Sequence, residues 1–432
     1  IGYSRRKIAM CGIAVVVSGI SLGLLQEAAQ SSTNDLPIPE KFNIDDFLLA
    51  LGRRGPDCIG SSTVTVSPNL IISDYQHEGL EFSSSAVSCE VRFVGASLQL
   101  RGSEPVKQPI SDSNGNLLVY NGEIFGGIDV SDGRNDGEVL LETLSNVSNE
   151  VDAVPEILSR IKGPWALIYW QGNTKTLWFG RDAIGRRSLL VHWPSFDDIR
   201  FILSSVSPTF SSGTHNTSFW EELPCGIHSM QITLASPIIG QVRKHNWVNE
   251  KLLNLIKWER IFVEPSYNAQ DTNTSVGNSA QCVLNALRNA VRLRSKVSFF
   301  SQHFPIENGN CFYKTDRKNH DEMVPIAVLF SGGLDSMIIA ALLNECLNSS
   351  YTIDLLNVSF DSEFAPDRIS AKAGLKELMN IAPLRRWRLV EIDADLSHLT
   401  NEMNHVSQLL DPSRSQHRHC ALVSSKRRWM GL

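Results

Sequence analysis

Short apolar runs separated by turn residues fill the first half of the chain. "GIAVVV" (12–17), "LLVYNGEIF" (117–125), "PWALIYW" (164–170), "TLWFGRD" (176–182) and "RFILSSV" (200–206) are rich in β-branched and aromatic residues and read as strands. Helical spacing of apolar positions marks Ile44–Leu51 and Gly137–Leu144. The region from Cys11 to about Trp247 is therefore expected to mix α and β with antiparallel character. The Asn/Ser/Thr-rich stretch "EPSYNAQDTNTSVGNSA" (264–280) sits in a segment, 251–280, that reads as a linker. Beyond it Val283, Leu284, Leu287 and Val291 share one helical face. A polar stretch over 301–323 reads as a surface insertion. "VPIAVLF" (324–330) is a continuous apolar strand of the kind parallel sheets bury. A turn and helix follow in "SGGLDSMIIAALLNECL" (331–347), then a second buried strand, "YTIDLLNVSF" (351–360). This β-loop-α-β order predicts a doubly wound α/β domain.

Length and composition bound the rest. The 432 residues suggest two or three domains, and 42% hydrophobic content lets each bury a core. A net charge of −6 argues against a nucleic-acid partner, which would meet a basic face. Eight scattered cysteines, with no CxxC pair, indicate neither a zinc site nor a disulfide framework, so no metal-ligating cluster is expected. That usage fits a reducing compartment such as the cytosol. Arg5, Arg6 and Lys7 ahead of the uncharged stretch Ile8–Leu25 outline a secretory signal, but Ser18, Gly19, Ser21 and Gly23 break it, and "GIAVVV" serves equally as a strand. No other segment reaches the roughly 20 apolar residues that span a bilayer, so no membrane partner is expected.

"SGGLDS" (331–336) lies between a buried strand and a helix. Its glycines allow close backbone approach, and its serines and amides face the positive end of the following helix. The loop is suited to cradling pyrophosphate. It resembles the pyrophosphate loop of the ATP pyrophosphatases, which adenylate a substrate oxygen and let ammonia displace AMP. By that resemblance Ser331, Gly332, Gly333, Asp335 and Ser336 hold the phosphates of ATP with Mg²⁺, and Leu329 and Val358 flank the adenosine.

"MCGIAVVVSG" (10–19) opens the first strand. With Met10 removed, Cys11 becomes an amino-terminal nucleophile whose own α-amine, titrating near pH 8, can take the thiol proton. This is the arrangement of the class II glutamine amidotransferases, whose fold is the αββα N-terminal-nucleophile hydrolase. "RRGPD" (53–57), "YNGEIF" (120–125), "NDGE" (135–138) and "GRDAIGRRSLL" (180–190) resemble that family's motifs, in its order. The resemblance makes Asn121 and Gly122 the oxyanion donors and gives Glu123 and Asp136 to glutamine binding, with Asp136 on the α-amino group. It treats the last motif as a structural hairpin beside the site.

Together the motifs resemble the glutamine-hydrolysing asparagine synthetases, most of all their divergent asparagine synthetase domain-containing branch. The implied architecture is an amidotransferase domain over 11–250, the linker, and an incomplete ATP pyrophosphatase-type domain over 281–415. Residues 1–10 read as a processed or foreign extension, and 416–432 as a frame-shifted tail. Two departures stand out. The arginine that clamps the glutamine carboxylate in the family falls near Ser97 of "GASLQLRG", and Arg101, four residues on along the same strand face, is the expected substitute. A second substrate loop of the family is missing. The implied activity is ATP-dependent amidation of L-aspartate with ammonia from L-glutamine. Glutamine hydrolysis alone, or a silent protein that keeps the fold for binding, are the alternatives, and a homodimer is left open.

Overall fold

A computed structural model describes residues 11–22, 43–67, 88–102, 105–131, 133–147, 153–195, 198–208, 220–233, 239–256, 273–296, 306–307, 310–311, 324, 326–360 and 364–394. The extension at 1–10 and the tail at 416–432 lie outside them.

The first region holds β1 (Gly12–Ser18), β2 (Ser21–Leu22), α1 (Ile44–Gly52), β3 (Cys58–Val66), β4 (Cys89–Ser97), β5 (Ile110–Ser111) and β6 (Leu117–Gly122). It continues with α2 (Asp136–Ser145), α3 (Ala153–Arg160), β7 (Trp165–Gln171), β8 (Thr176–Arg181), β9 (Leu190–His192) and β10 (Phe201–Ser204). It ends with β11 (Glu221–Glu222), β12 (Gly226–Thr233), β13 (Ile239–His245) and α4 (Glu250–Ile256).

These strands form two sheets, ordered β11-β9-β10-β1-β4-β3 and β2-β13-β12-β8-β7-β6-β5. Every pairing is antiparallel except that of β2 with β13. The two-residue period of a strand sorts the side chains into layers. Ile13, Val15 and Val17 of β1 meet Leu117 and Val119 of β6 in one core between the sheets. Ala14 and Val16 point the other way, onto Phe47, Ala50 and Leu51 of α1. Leu118 and Tyr120 point away from the inter-sheet core, onto Leu140, Leu144 and Leu158 of α2 and α3. The result is the four-layer α-β-β-α arrangement. A capping box fixes the start of α1: Asn43 Oδ1 accepts from the Asp46 N–H at 2.9 Å, and Asp46 Oδ2 accepts from the Asn43 N–H at 2.8 Å.

The second region holds α5 (Asn273–Arg294), β14 (Ile306–Glu307), β15 (Asn310–Cys311), β16 (Ile326–Leu329), α6 (Leu334–Cys346), β17 (Ile353–Ser359), α7 (Pro366–Ile381) and β18 (Trp387–Asp393). β16, β17 and β18 form a parallel sheet in that order. α5 begins inside the stretch expected to be linker, because Val291 joins the core that α6 and α7 make on the sheet. Among the described residues only one face of this sheet carries helices. Val328, Ile353 and Leu355 pack under Ala340, Leu343, Ala371 and Leu378. On the opposite face Leu329, Leu356 and Val390 are half-buried, and Val358 and Ile392 bury a small cluster toward the strands' C-terminal ends. The parallel sheet with helices on one face is one half of the doubly wound expectation; its second layer lies outside the described residues.

Candidate active site

Cys11 stands at the start of β1, where alternation turns it, like Ile13, toward the gap between the sheets. Its neighbour is the end of β4. The Leu98 N–H donates to Cys11 Sγ at 3.3 Å, and the thiol donates to the Leu98 carbonyl at 3.7 Å. Two distant segments lock this corner. Ser205 Oγ accepts from the Ile13 N–H at 3.0 Å, and the Ser205 N–H donates to the Ile13 carbonyl at 2.8 Å. Arg54 Nη1 donates to the Ser205 carbonyl at 2.8 Å and to Ser188 Oγ at 3.0 Å.

The "RRGPD" turn positions Arg54. It ends α1, with the N–H groups of Arg54 and Gly55 donating to the Leu51 carbonyl at 2.8 and 3.1 Å. Gly55 touches β4 so closely that a Cβ there would lie 2.2 Å from the Ala96 carbonyl carbon. Asp57 Oδ2 accepts from the Gln99 N–H at 2.8 Å, which fixes the segment beside Leu98.

The "GRDAIGRRSLL" hairpin does more than frame the site. Buried Asp182 accepts from the N–H groups of Ile184, Arg186 and Trp165 and from Arg186 Nε. That turn delivers Arg187 and Ser188 to the thiol's corner, and Arg187 Nη2 reaches Glu123 Oε1 at 3.3 Å. Burial pushes the Cys11 thiol above its ordinary value; the Leu98 N–H, Arg187 and Arg54 pull it back, and Glu123 pushes it up. Arg54 is itself lowered to about 10 by burial and by Arg187, with Cys11 acting in the opposite sense. Arg54 and Arg187 are thus electrostatic partners of the thiol. Both lie inside motifs recognisable in the sequence, but nothing there marks them as neighbours of Cys11.

β6 brings the candidate oxyanion donors. Asn121 shares the inter-sheet face with Leu117 and Val119 and is 2% exposed. Its Nδ2 is buried and has no hydrogen-bond partner among the described residues. The Glu123 N–H donates to the Pro164 carbonyl at 3.0 Å. Antiparallel alternation therefore turns the Gly122 N–H away from β7, to the same edge as the Tyr120 N–H.

Arg101 does not lie on a strand. β4 ends at Ser97, and Arg101 sits in the bend that follows, so the expectation of a shared strand face is corrected. Its guanidinium is buried, and Nη1 donates to Asp136 Oδ1 at 2.9 Å and to the Ile124 carbonyl at 2.8 Å. Asp136 opens α2 beneath the N-cap Asn135, whose Oδ1 accepts from the Gly137 N–H at 2.8 Å. Asp136 Oδ2 accepts from the Ile124 N–H at 2.9 Å. Burial raises the Asp136 carboxyl, against Arg101 and the Ile124 N–H, which lower it. Cys11, Asn121, Gly122, Glu123, Arg101 and Asp136, drawn from four separate motifs, thus share one end of the double-sheet domain.

In the second region Gly332 has φ +76°, and a Cβ on it would lie 2.2 Å from the Ser370 carbonyl carbon on α7. Gly333 caps α6 with no side-chain hydrogen bond, so the first-turn N–H groups face the loop. Ser336 Oγ donates to the Gly333 carbonyl at 2.9 Å, and Asp335 is exposed. Leu329 and Val358 fall on the same, helix-free face of the sheet. This glycine cradle on an open helix start fits an anionic group. No cluster of three His, Cys, Asp or Glu suited to a metal occurs among the described residues, and no described helix is long and apolar enough to cross a membrane.

Comparison with known proteins agrees with the two regions. Residues 96–211 match the family model described as glutamine amidotransferase domain, and residues 314–382 match the asparagine synthase model. Asparagine synthetase domain-containing protein 1 of Bos taurus is 28% identical over 97% of this chain and 73% of its own length. The Homo sapiens protein of the same name is 28% identical over 82% of this chain and 65% of its own. Among solved structures, glutamine phosphoribosylpyrophosphate amidotransferase from B. subtilis, complexed with ADP and GMP, covers 88% of this chain and 90% of that one, at 11% identity and TM-score 0.33. The chain is therefore similar to glutamine amidotransferase domains over 96–211 and to asparagine synthases over 314–382, and along most of its length to the asparagine synthetase domain-containing proteins.

Proposed function

We propose that the first domain hydrolyses glutamine at Cys11 and that the ammonia serves an ATP-dependent amidation in the second, with aspartate as acceptor. The buried, unpartnered Asn121 Nδ2 carries the reading, because an orphaned donor at this depth is costly until an acceptor reaches it. In the proposed reaction the Cys11 thiolate attacks the side-chain amide carbon of glutamine. The oxyanion is held by Asn121 Nδ2 and the Gly122 N–H, donors worth about 3–4 kcal/mol each at such a site. Ammonia leaves, and water then hydrolyses the thioester to release glutamate.

Burial raises the thiol above its ordinary value, so the reading calls for a base to take its proton. The α-amine of Cys11, freed by removal of the residues before it, is the proposed base. Arg187 and Arg54 favour the thiolate once it forms. The Arg101–Asp136 pair offers opposite charges side by side, suited to the carboxylate and ammonium of an α-amino acid. In the second domain Ser331, Gly332, Gly333, Asp335 and Ser336 would hold the phosphates of ATP with Mg²⁺, and Leu329 and Val358 would flank the adenosine. Bound ATP would supply an adenylated carboxyl for ammonia to attack. The proposed setting is the cytosol.

Glutamine hydrolysis without synthesis is the second reading, favoured by the short asparagine synthase match at 314–382. Purified protein is assayed for glutamate release and for AMP formation with aspartate. Glutamate release that Cys11→Ala abolishes supports the hydrolase, and its absence in wild type removes it. Aspartate-dependent AMP formation supports synthesis; glutamate release without it leaves the second reading.

A further inference from the structure

Tyr120 is 3% exposed, and its hydroxyl has no hydrogen-bond partner among the described residues. An ordinary core position would be filled by phenylalanine with no unsatisfied group left behind. The ring's surroundings show where the hydroxyl points. The two-residue period puts Gly122 on the same face of β6 as Tyr120. A Cβ on Gly122 would lie 2.6 Å from Tyr120 Cζ and from its Oη, so the phenol lies along the strand in the trough a missing side chain leaves. A Cβ on Gly137 would lie 3.9 Å from Tyr120 Cδ1, which sets the ring against the first turn of α2, one residue from Asp136. The backbone cannot slip. Gln108 Oε1 accepts from the Tyr120 N–H at 2.7 Å, and Gln108 Nε2 donates to the Tyr120 carbonyl at 2.9 Å. The titratable groups that act electrostatically on the hydroxyl are Asp136, Glu123, Arg187 and Cys11. All four belong to the site described above.

We propose that the Tyr120 hydroxyl is a further substrate contact, accepting a hydrogen from the α-ammonium that Asp136 neutralises, and so selecting amides that carry an α-amino group. The inference rests on the glutamine reading. An ammonium brings three donors. Each Asp136 oxygen already accepts one hydrogen bond, from Arg101 or from the Ile124 N–H, so a further acceptor beside the carboxylate completes the shell. The phenol oxygen supplies it.

The test is Tyr120→Phe, which removes one atom. Hydrolysis of L-glutamine is compared with that of glutaramate, the same amide without the amino group, used as a competitive inhibitor where its turnover is too slow. The expected result is a fall of about 10–100-fold in kcat/KM for glutamine, mainly through KM, with glutaramate unchanged and the melting temperature equal or higher. Equal losses for both ligands, or no loss for either, would overturn the inference while the hydrolase reading stands. A wild-type protein that neither hydrolyses glutamine nor is alkylated at Cys11 by a diazoketone glutamine analogue removes that reading, and the inference with it.

Discussion

Arg101 Nη1 lies 2.9 Å from Asp136 Oδ1, and both side chains are almost wholly buried. Removing one partner of such a pair leaves the other charge stranded, at a cost of about 3–5 kcal/mol. Asp136→Leu should therefore lower unfolding stability by about that amount. The double variant Arg101→Leu/Asp136→Leu should lose less than the two single changes summed. Urea unfolding of the four proteins measures the coupling, and additive losses would show that the pair is not a unit.

Asn121 Nδ2 finds no acceptor among the described residues, so removing it should not hurt folding. Asn121→Ala should keep its unfolding midpoint or raise it, apart from any small cavity. Glutamine hydrolysis should slow about 10²–10³-fold. A variant that unfolds readily while its remaining folded fraction hydrolyses at the wild-type rate would make Asn121 a packing residue.

The Cys11 thiol answers to two surface-reaching charges. Arg187 stabilises the thiolate and Glu123 opposes it. Arg187→Gln should move the alkylation midpoint of Cys11 to higher pH, and Glu123→Gln should move it lower. Mass spectrometry of the Cys11 peptide across a pH series with iodoacetamide reads both. Shifts of the same sign would contradict the arrangement.

His228 stacks on Phe179 with ring centroids 5.5 Å apart, and its Nδ1 has no partner among the described residues. Burial, then Lys244 and His245, lower it from 6.5 to about 4. The unfolded chain therefore binds the proton first as pH falls, and stability is lost between pH 6.5 and about 4. The loss should be about 1–2 kcal/mol in that window, and His228→Phe should flatten it. Thermal melts at pH 7, 5.5 and 4.5 check the slope.

Much of this arrangement was legible in the residues. The apolar spacing at Ile44–Leu51 and Gly137–Leu144 falls within the helices Ile44–Gly52 and Asp136–Ser145, and "LLVYNGEIF" contains β6. What escaped depended on long-range packing. Alternation cannot say where a strand stops, so Arg101 was read onto a strand that ends four residues earlier, at Ser97. Tyr120 looks like any aromatic strand residue until the space over Gly122 is seen. Arg54 and Arg187 meet only because their motifs, far apart in sequence, both converge on Cys11. The start of α5 is rich in Asn and Ser, which favour turns locally, and it is helical because its later turns pack on α6.

The bonds around Ser205 span 192 residues to Ile13 and 151 to Arg54. During synthesis, then, the thiol emerges from the ribosome long before the strand that anchors its pocket. Until β10 adds to β1, the Ile13–Ser205 and Arg54–Ser205 bonds that fix the thiol's corner cannot form. That corner is completed late, and a chain interrupted just before residue 205 holds Cys11, Arg54 and Arg187 without the Ser205 bonds that tie Ile13 and Arg54 together.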